Sequence, residues 1–413
     1  MMKNKKSVLL GRIAFFVGLP IFLLFGLLRM WTNTLNALPD VMIPTHAMPA
    51  VNARDYFIRA NALEQSKLAV ECALDTKHYY ANKADRPYSD TEKAKIVADN
   101  ARSLATLRQG FGYPYMEPPI RSSRSGDLLL NRSKNQTGFR HYANLLRLEA
   151  DTRASKGDYY GAVDSCLDAI RMGEMIPRGG ATIGLWSSLA IIGSGANDVG
   201  KYSAHLTAPQ ARTVARRLEK IRTLHVPFSD LLTEEKYEYQ AMLMELFRDP
   251  DNNYREMSSD PGADGRSRAR SFGQKIRLSF LNKRGSFVAY TRYMDDSIAA
   301  SKQPYIASLV RVPIPNDVLC EILFNLDYLL VLENDRQGIA RTAILELRLA
   351  IRAYELEHGH LPDTLAQLVP AYLTRLPDDP HAARGSYGYT RNKVGYTLFS
   401  TSGYVPPKPK KQH

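Results

Sequence analysis

Cysteine is scarce in this chain of 413 residues: it occurs three times, and never as a CxxC pair. Three cysteines cannot form the disulfide framework of a small secreted domain, and without paired spacing they do not form a structural zinc site. Apolar residues make up 44% of the chain, which is a globular proportion. Disulfide scaffolds, zinc ribbons and wholesale disorder are therefore excluded.

The motifs of common catalytic sites are missing as well. The sequence contains no HExxH, GxSxG, P-loop or GxGxxG. His141 stands in a helical pattern, where a surface histidine is more common than a catalytic base. Asp295 and Asp296, like Asn197 and Asp198, cannot face one another, because adjacent helical residues point about 100° apart. We therefore predict no catalytic residue and no cofactor, and an enzyme is not indicated.

The best metal candidate is the sequence ELEHGH at 355–360. Its ligands would be Glu357, His358 and His360, but an HxH pair needs at least one more ligand from elsewhere in the chain. The alternative is a helix that ends at Gly359, where the imidazole groups meet the helix dipole. We expect the second arrangement and predict no metal site.

Acidic residues are absent from 266–292, which carries eight basic residues. Its aromatic residues, Phe272, Phe280, Phe287 and Tyr290, are interleaved with the basic ones. One interpretation is contact with an anionic surface such as lipid headgroups. The other is a solvated face whose aromatic rings turn into the core. The residues assigned to the anionic contact are Arg266, Arg268, Arg270, Lys275, Arg277, Lys283 and Arg284.

A long apolar run stands near the N-terminus. Residues 13–28 contain no polar side chain and are bracketed by Arg12 and Arg29. Sixteen helical residues span about 24 Å, and flanking apolar residues extend them towards the hydrocarbon thickness of about 30 Å. The run predicts an uncleaved signal-anchor helix. A cleaved signal peptide and a soluble core helix are the alternatives, although small residues at alternating positions are lacking after the run.

The flanks of this run predict its orientation. Lys3, Lys5, Lys6 and Arg12 precede it, whereas 30–53 contain no lysine or arginine. The positive-inside rule then places the N-terminus in the cytoplasm and the rest of the chain outside the inner membrane. The net charge of +13 is therefore mostly extracytoplasmic, and a nucleic-acid partner is not expected. The membrane and unidentified proteins are the expected partners, and the oligomeric state stays open.

Helical signals dominate the remainder, so the predicted fold class is mainly α. It comprises a transmembrane helix, a helical extracytoplasmic body and a small α+β C-terminal module with a β-hairpin. The expected segments are an anchor (1–31), a linker (32–51), a helical body (52–248), a loop with the basic segment (249–315), the C-terminal module (316–404) and a disordered tail (405–413).

Several helix boundaries follow from capping residues. Asn52 caps a helix to about Leu74, Ser89 or Asp90 caps one to Gln109, and Thr207 caps another. The glycine-rich apolar stretch 181–200 predicts a buried helix with close neighbours, and a second membrane segment is the alternative. Ser229 or Asp230 begins a helix to Phe247, and a long helix from Asn316 to His358 has a hinge near 333–338.

The stretch 138–175 predicts two helices separated at Gly157. Its centre, ASKGDYYGAVDSCLDAI, resembles the helical hairpin of a tetratricopeptide repeat, with Ala162 and Ala169 at close-contact positions. Cys166 stands where that family prefers an aromatic residue. Only one such unit is visible, and about three are needed for a solenoid. Two ordinary antiparallel helices are the alternative.

The C-terminal sequence AIRAYELEHGHLPDTLAQLVPAYLTRLPDDP, followed by YGYT and GYTLFS, resembles the C-terminal part of the type II secretion major pseudopilin. The resemblance implies a long helix, a glycine turn, a short helix from Asp363 to Leu368, a Leu-Pro-x-Asp-Pro element and a small sheet. It covers about 65 of the 413 residues. The complete layout also resembles large envelope proteins of planctomycete-like bacteria.

This chain departs from the pseudopilin pattern in two ways. The apolar run lies some 300 residues upstream of the C-terminal helix instead of continuing into it, and no carboxylate follows Asp379, so the family's calcium site is not transferred. The expected function is a membrane-anchored extracytoplasmic scaffold or protein-interaction protein. The alternatives are an accessory component of a type II secretion or pilus-like system, and an envelope hydrolase.

Overall fold

A computed structural model shows a mainly helical chain. It describes residues 20, 22–28, 30–31, 36–65, 67, 70, 74, 88–121, 126–248, 282–305, 312–316, 328–382, 385–392 and 395–400. The helices within these residues are α1 (Ala53–Leu63), α2 (Asp90–Asp99), α3 (Ala101–Gly110), α4 (Gly126–Ser155), α5 (Tyr159–Met175), α6 (Thr182–Tyr202), α7 (Ala208–Arg222), α8 (Phe228–Arg248), α9 (Lys283–Ser301) and α10 (Tyr328–His358). Short 3₁₀ helices cover Ser203–His205 and Leu365–Leu368. The predicted α-helical class with a small hairpin is thus confirmed.

The predicted transmembrane helix is the part of the fold prediction that is wrong. Among the described residues, no helix is both long enough and apolar enough to cross a membrane. Within the predicted span, residues 20 and 22–28 are helical. A helix that crosses the hydrocarbon core needs about 20 consecutive, predominantly apolar residues. Residues 1–19, 21 and 29 lie outside the described part of the chain.

The chain divides into two compact units. One comprises 1–43, 240–293 and 314–325, and the other comprises 44–239, 294–313 and 326–413. In the first unit, Phe287 and Tyr290 are buried, and the Gln240 side-chain amide donates to Thr291 Oγ1 at 2.9 Å. The second unit contains most of the described helices.

The first helices of the second unit begin at the predicted caps. The Asn52 side chain accepts a hydrogen bond from the Arg54 amide, and α1 ends at Leu63 instead of continuing to Leu74. Ser89 and Glu92 form a capping box at the start of α2. The predicted single helix is interrupted at Asn100, whose side chain bonds to Ile96 O and to the Gln65 backbone. These bonds divide the segment into α2 and α3.

The hairpin of α4 and α5 turns at Gly157, which has φ of +80° and therefore favours glycine. Asp158 caps α5 by accepting from the Gly161 amide at 2.9 Å. Ala162, Cys166 and Ala169 are buried, as the helical-hairpin pattern predicts. Helix α4 begins at Gly126, twelve residues before the predicted start at 138.

The apolar stretch 181–200 forms α6, which packs on α5 without space for a side chain at Gly195. A Cβ atom at Gly195 would lie 2.9 Å from Ile170 Cγ1 and 3.1 Å from Cys166 O. Most of α6 is buried, which agrees with the buried-helix interpretation. Thr207 then caps α7 as predicted, and it forms a capping box with Gln210.

The C-terminal module follows a continuous helix. No hinge occurs at 333–338, because α10 runs unbroken from Tyr328 to His358; residues 317–327 lie outside the described part. The short 3₁₀ helix covers Leu365–Leu368 and is capped by Thr364, so it begins two residues after the implied start at Asp363. Strands β1 (Gly388–Asn392) and β2 (Gly395–Phe399) form the predicted antiparallel hairpin, with Tyr389 opposite Leu398.

The module shares a hydrophobic core with the helical body. Leu347 and Ile351 of α10 are completely buried, and the same cluster includes Leu218 of α7 and Leu368 of the 3₁₀ helix. Charged contacts reinforce this packing at the edge of α7. Glu219 accepts hydrogen bonds from the backbone amides of Thr374 at 2.9 Å and Arg375 at 3.3 Å. Hydrophobic burial and these hydrogen bonds therefore hold the module against α7.

Candidate functional site

The predicted basic segment lies largely outside the described residues. Arg266, Arg268, Arg270, Lys275 and Arg277 are not described. Lys283 and Arg284 begin α9, and the Arg284 amide donates to Asn36 Oδ1 at 3.3 Å. The contact of this segment with an anionic surface stays a prediction.

Two of the four aromatic residues of that segment lie within the described part of the chain. Phe272 and Phe280 are not described, whereas Phe287 and Tyr290 are buried within their unit. Their rings therefore lie in the core, which is what the solvated-face alternative predicts for these two positions.

The ELEHGH sequence forms the C-terminus of α10. Tyr372 donates a hydrogen bond to Glu357 Oε2 at 2.6 Å and lies 3.2 Å from His358 Nε2. This bond and the ion pair with Arg212 lower the pKa of Glu357. His360 Nδ1 lies 3.0 Å from the Leu361 carbonyl oxygen. Within the described ranges, no group of three histidine, cysteine, aspartate or glutamate residues could hold a metal ion.

The paired acidic candidates bind separate cations. Asp295 accepts from Lys236 Nζ at 2.8 Å, and Asp198 accepts from Arg147 Nε at 2.7 Å. Asp296 and Asn197 are exposed, and His141 is half-buried on α4. The structure therefore does not bring these residues together into one site.

A histidine held between two carboxylates was not predicted from the sequence. His225 lies in the loop between α7 and α8, Glu174 near the end of α5 and Asp335 in α10. His225 Nδ1 is 3.1 Å from Glu174 Oε2, and its Nε2 is 3.5 Å from Asp335 Oδ2. Burial by itself lowers the pKa of His225, but the bonds from Asp335 and Glu174 outweigh it and raise the pKa to about 10. The ring is therefore charged at neutral pH.

A small cavity adjoins this histidine. Its walls include Ser188, Leu189, Gly338 and Ile339. The cavity has a volume of about 270 Å³ when the part that is open to solvent is included. The enclosed part has room for about one water molecule. The charged histidine and its two carboxylates form an ion triad that joins three elements.

A second polar cluster fastens the hairpin to α10. Ser400 donates to Asp379 Oδ2 at 2.5 Å, and the His381 amide donates to Asp379 Oδ1 at 2.9 Å. His381 Nε2 lies 3.1 Å from Glu333 Oε1. Because the serine hydroxyl contacts the carboxylate and not the imidazole, the cluster lacks the serine–histidine contact that activates a nucleophile.

An apolar surface is exposed on α6 and at the start of α10. Ile183, Trp186 and Ala190 form one stripe on α6, and the first two are 48% and 43% exposed. Leu330 of α10 is 58% exposed. We call these four residues the α6–α10 surface. Tryptophan is enriched among the residues that dominate binding energy in protein interfaces.

The two helices of this surface run side by side in the same direction. A Cβ atom at Gly338 would collide with Leu189, and one at Gly193 would collide with Arg341. Residue numbers therefore increase in the same direction along both helices. Near their starts, both helices bind Glu235. The Thr182 amide donates to it at 3.0 Å, and Tyr328 donates its hydroxyl at 2.9 Å. These shared bonds place Ile183 and Leu330 at the same end of the helix pair.

No protein-family model, curated protein or solved structure matches this chain. The resemblances to the pseudopilin module and to a tetratricopeptide hairpin therefore stay predictions.

Proposed function

We propose that this protein is a protein-interaction scaffold that binds a partner through the α6–α10 surface. The exposure of Trp186 beside Ile183 carries the proposal. Large apolar side chains that are clustered and exposed mark interaction sites more often than isolated ones do. The surface lies on helices that glycine contacts and the Glu235 bonds hold in place, so it is preorganised for binding.

The arrangement of the buried ionisable groups supports the proposal, because these groups connect elements of the fold. The His225 triad joins α5, α10 and the loop after α7, and the Asp379 cluster joins the hairpin to α10. Both sets of groups bind one another within the fold. They are suited to holding helices in register, whereas the side chains of the α6–α10 surface face solvent.

The C-terminal module supports a second candidate, an accessory role in a type II secretion or pilus-like system. The turn at Gly359, the 3₁₀ helix and the hairpin follow one another in the order that the pseudopilin resemblance implies. A two-hybrid assay against the pseudopilins of the same cell tests this role. Interaction with the full chain that is lost when 359–400 is deleted would favour it.

Co-purification tests the proposed scaffold function. The tagged full-length chain is purified from its own cells as wild type, Ile183→Asp, Trp186→Asp and the control Leu356→Asp, which alters another exposed position of α10. We expect one identified partner to be retained by the wild type and the control and lost from both surface variants. Equal retention by all four proteins would contradict the proposal.

A further inference from the structure

Two arginines extend the α6–α10 surface along α10. Arg341 and Arg348 are exposed and lie seven residues apart, which places them on the same face of the helix. Neither forms a hydrogen bond or an ion pair with the part of the chain that the structure describes. These two guanidinium groups are therefore available to an anionic partner.

The neighbouring charges are already neutralised. On α6, Asp198 pairs with Arg147 and Lys201 pairs with Asp151. The carboxylates of α10 between Leu330 and Arg348 are also engaged within the fold. Glu333 bonds to His381, Asp335 to His225 and Glu346 to Arg222. The net local charge is positive, and Glu355 is the next exposed acidic residue along α10.

The apolar stripe leads directly to these arginines. Gly193 follows Trp186 by seven residues and lies on the same face of α6, and the Arg341 guanidinium lies over it. From Ile183 to Gly193 the stripe extends about 15 Å, and Arg341 to Arg348 adds about 10 Å. The resulting surface is apolar at one end and cationic at the other, and a helix of about 17 residues matches its length.

We propose that the α6–α10 surface, with Arg341 and Arg348, binds an amphipathic helix of a partner protein whose carboxylates lie at one end. Apolar side chains at i, i+3 and i+7 of that helix cover Ile183, Trp186 and Ala190. Its carboxylates pair with the two arginines, whose planar guanidinium groups match carboxylate geometry. The inference rests on the proposed scaffold function and specifies its partner.

Charge distribution favours this occupant over two others. A second copy of the chain would bring the same cationic end to a two-fold contact, where like charges oppose one another. Helices that lie on lipid carry cations beside the apolar face along their whole length. Here the apolar and cationic parts are separated along the helix axis, which suits a peptide of matching polarity.

Trp186 provides the readout for a binding test. The chain has two tryptophans, so Trp31→Phe leaves Trp186 as the sole tryptophan in the full-length protein, and it is excited selectively at wavelengths that tyrosine does not absorb. The probe is a synthetic 18-residue amphipathic helix with leucines along one face and four glutamates at one end. The matched probe carries lysines in place of the glutamates, and vesicles of phosphatidylglycerol form the third arm.

We expect the acidic peptide to shift the Trp186 emission to shorter wavelength and to bind at least tenfold more tightly than the lysine peptide. The double variant Arg341→Glu/Arg348→Glu should reverse this preference, and Arg341→Gln/Arg348→Gln should abolish it. The control Arg102→Glu, at an exposed arginine on α3, should leave the preference unchanged. Circular dichroism verifies that each variant is folded.

Equal binding of both peptides, no binding of either, or a shift produced by vesicles alone would overturn the acidic-helix inference. None of these results alters the co-purification test of Ile183→Asp and Trp186→Asp. A partner that is lost in that test but is not acidic would leave the scaffold function standing while the present inference fails.

Discussion

The guanidinium of Arg341 lies over Gly193, so that an arginine of α10 covers a glycine of α6 at the boundary between the apolar and cationic parts of the surface. The contact is possible because the residue at position 193 is glycine, which has no side chain. It also shows why α6 and α10 must be considered together, because neither helix alone presents both an exposed tryptophan and unpaired arginines.

Two glycine substitutions on α6 should have opposite effects. Gly193→Ala meets the end of the flexible Arg341 side chain, which can move, and the helix gains up to about 1 kcal/mol in propensity. Gly195→Ala meets Ile170 and the Cys166 carbonyl in the core, so overpacking should cost about 1–3 kcal/mol. Urea denaturation of the two variants measures the difference. Equal stabilities would show that α5 and α6 are not packed this closely.

The His225 triad should contribute stability that depends on pH. The folded-state pKa of about 10 exceeds the ordinary value of 6.5. The stabilisation is therefore complete below pH 6.5 and is lost as the pH rises towards 10. At neutral pH, His225→Gln should cost roughly 3 kcal/mol, because it leaves two buried carboxylates without their cation.

The measurement is the free energy of unfolding of wild type and His225→Gln between pH 6 and 10. We expect the gap between them to narrow as the pH rises. His205→Gln is the matched control, since His205 is exposed and stacks on Tyr159. A gap that does not change with pH would mean that His225 is not held as a cation.

The buried face of α10 should govern the stability of the C-terminal module. Leu347 is completely buried in the core that contains Leu368, so Leu347→Ala should cost about 2–5 kcal/mol. Leu356→Ala, at an exposed position of the same helix, should change stability by less than about 0.5 kcal/mol. Thermal unfolding of the full chain compares them, and similar melting temperatures would show that the face is misassigned.

Calcium should not stabilise this chain as the pseudopilin resemblance would suggest. Calcium requires about six to eight oxygen ligands, commonly with several carboxylates. Asp379 already accepts from Ser400 and the His381 amide, and no carboxylate follows it in the sequence. Millimolar calcium should therefore leave the melting temperature unchanged. Stabilisation by calcium but not magnesium would favour the secretion-accessory role.

Export of the residues beyond position 60 remains a proposal based on charge. Four basic residues precede the apolar run at 13–28, and none occurs in 30–53. A reporter enzyme that is active only outside the cytoplasm, fused after residue 60, should be active in cells. Activity confined to an N-terminal fusion of the same reporter would contradict this location.

Local signals predicted the helix starts well. Asn52, Ser89 and Thr207 act as caps in the structure, because a cap depends on hydrogen bonds within a few residues. The supposed hinge at 333–338 was wrong for the opposite reason. Gly338 is a point of close contact with Leu189 of α6, and a contact between distant helices leaves no local signal.

The His225 triad and the exposure of Trp186 depend even more on contacts between residues that are distant in sequence. Glu174 and His225 are 51 residues apart, and Asp335 comes from a third element, so no short motif could have identified the triad. A lone histidine in the short apolar loop after α7 was the available signal. Trp186 was missed because α6 appears uniformly apolar in sequence, and the packing of α5 and α10 decides which side chains remain exposed.

Photo-crosslinking at position 186 tests the central claim most directly. A photoreactive phenylalanine analogue replaces Trp186 in the full-length chain, and a control protein carries it at Val288, which is also exposed. After irradiation of intact cells, we predict a discrete adduct with one identified protein from position 186, none from position 288, and loss of the adduct when Ile183→Asp is added. Position 186 giving no adduct, or the same adducts as position 288, would contradict the claim that α6 and α10 form a partner-binding surface.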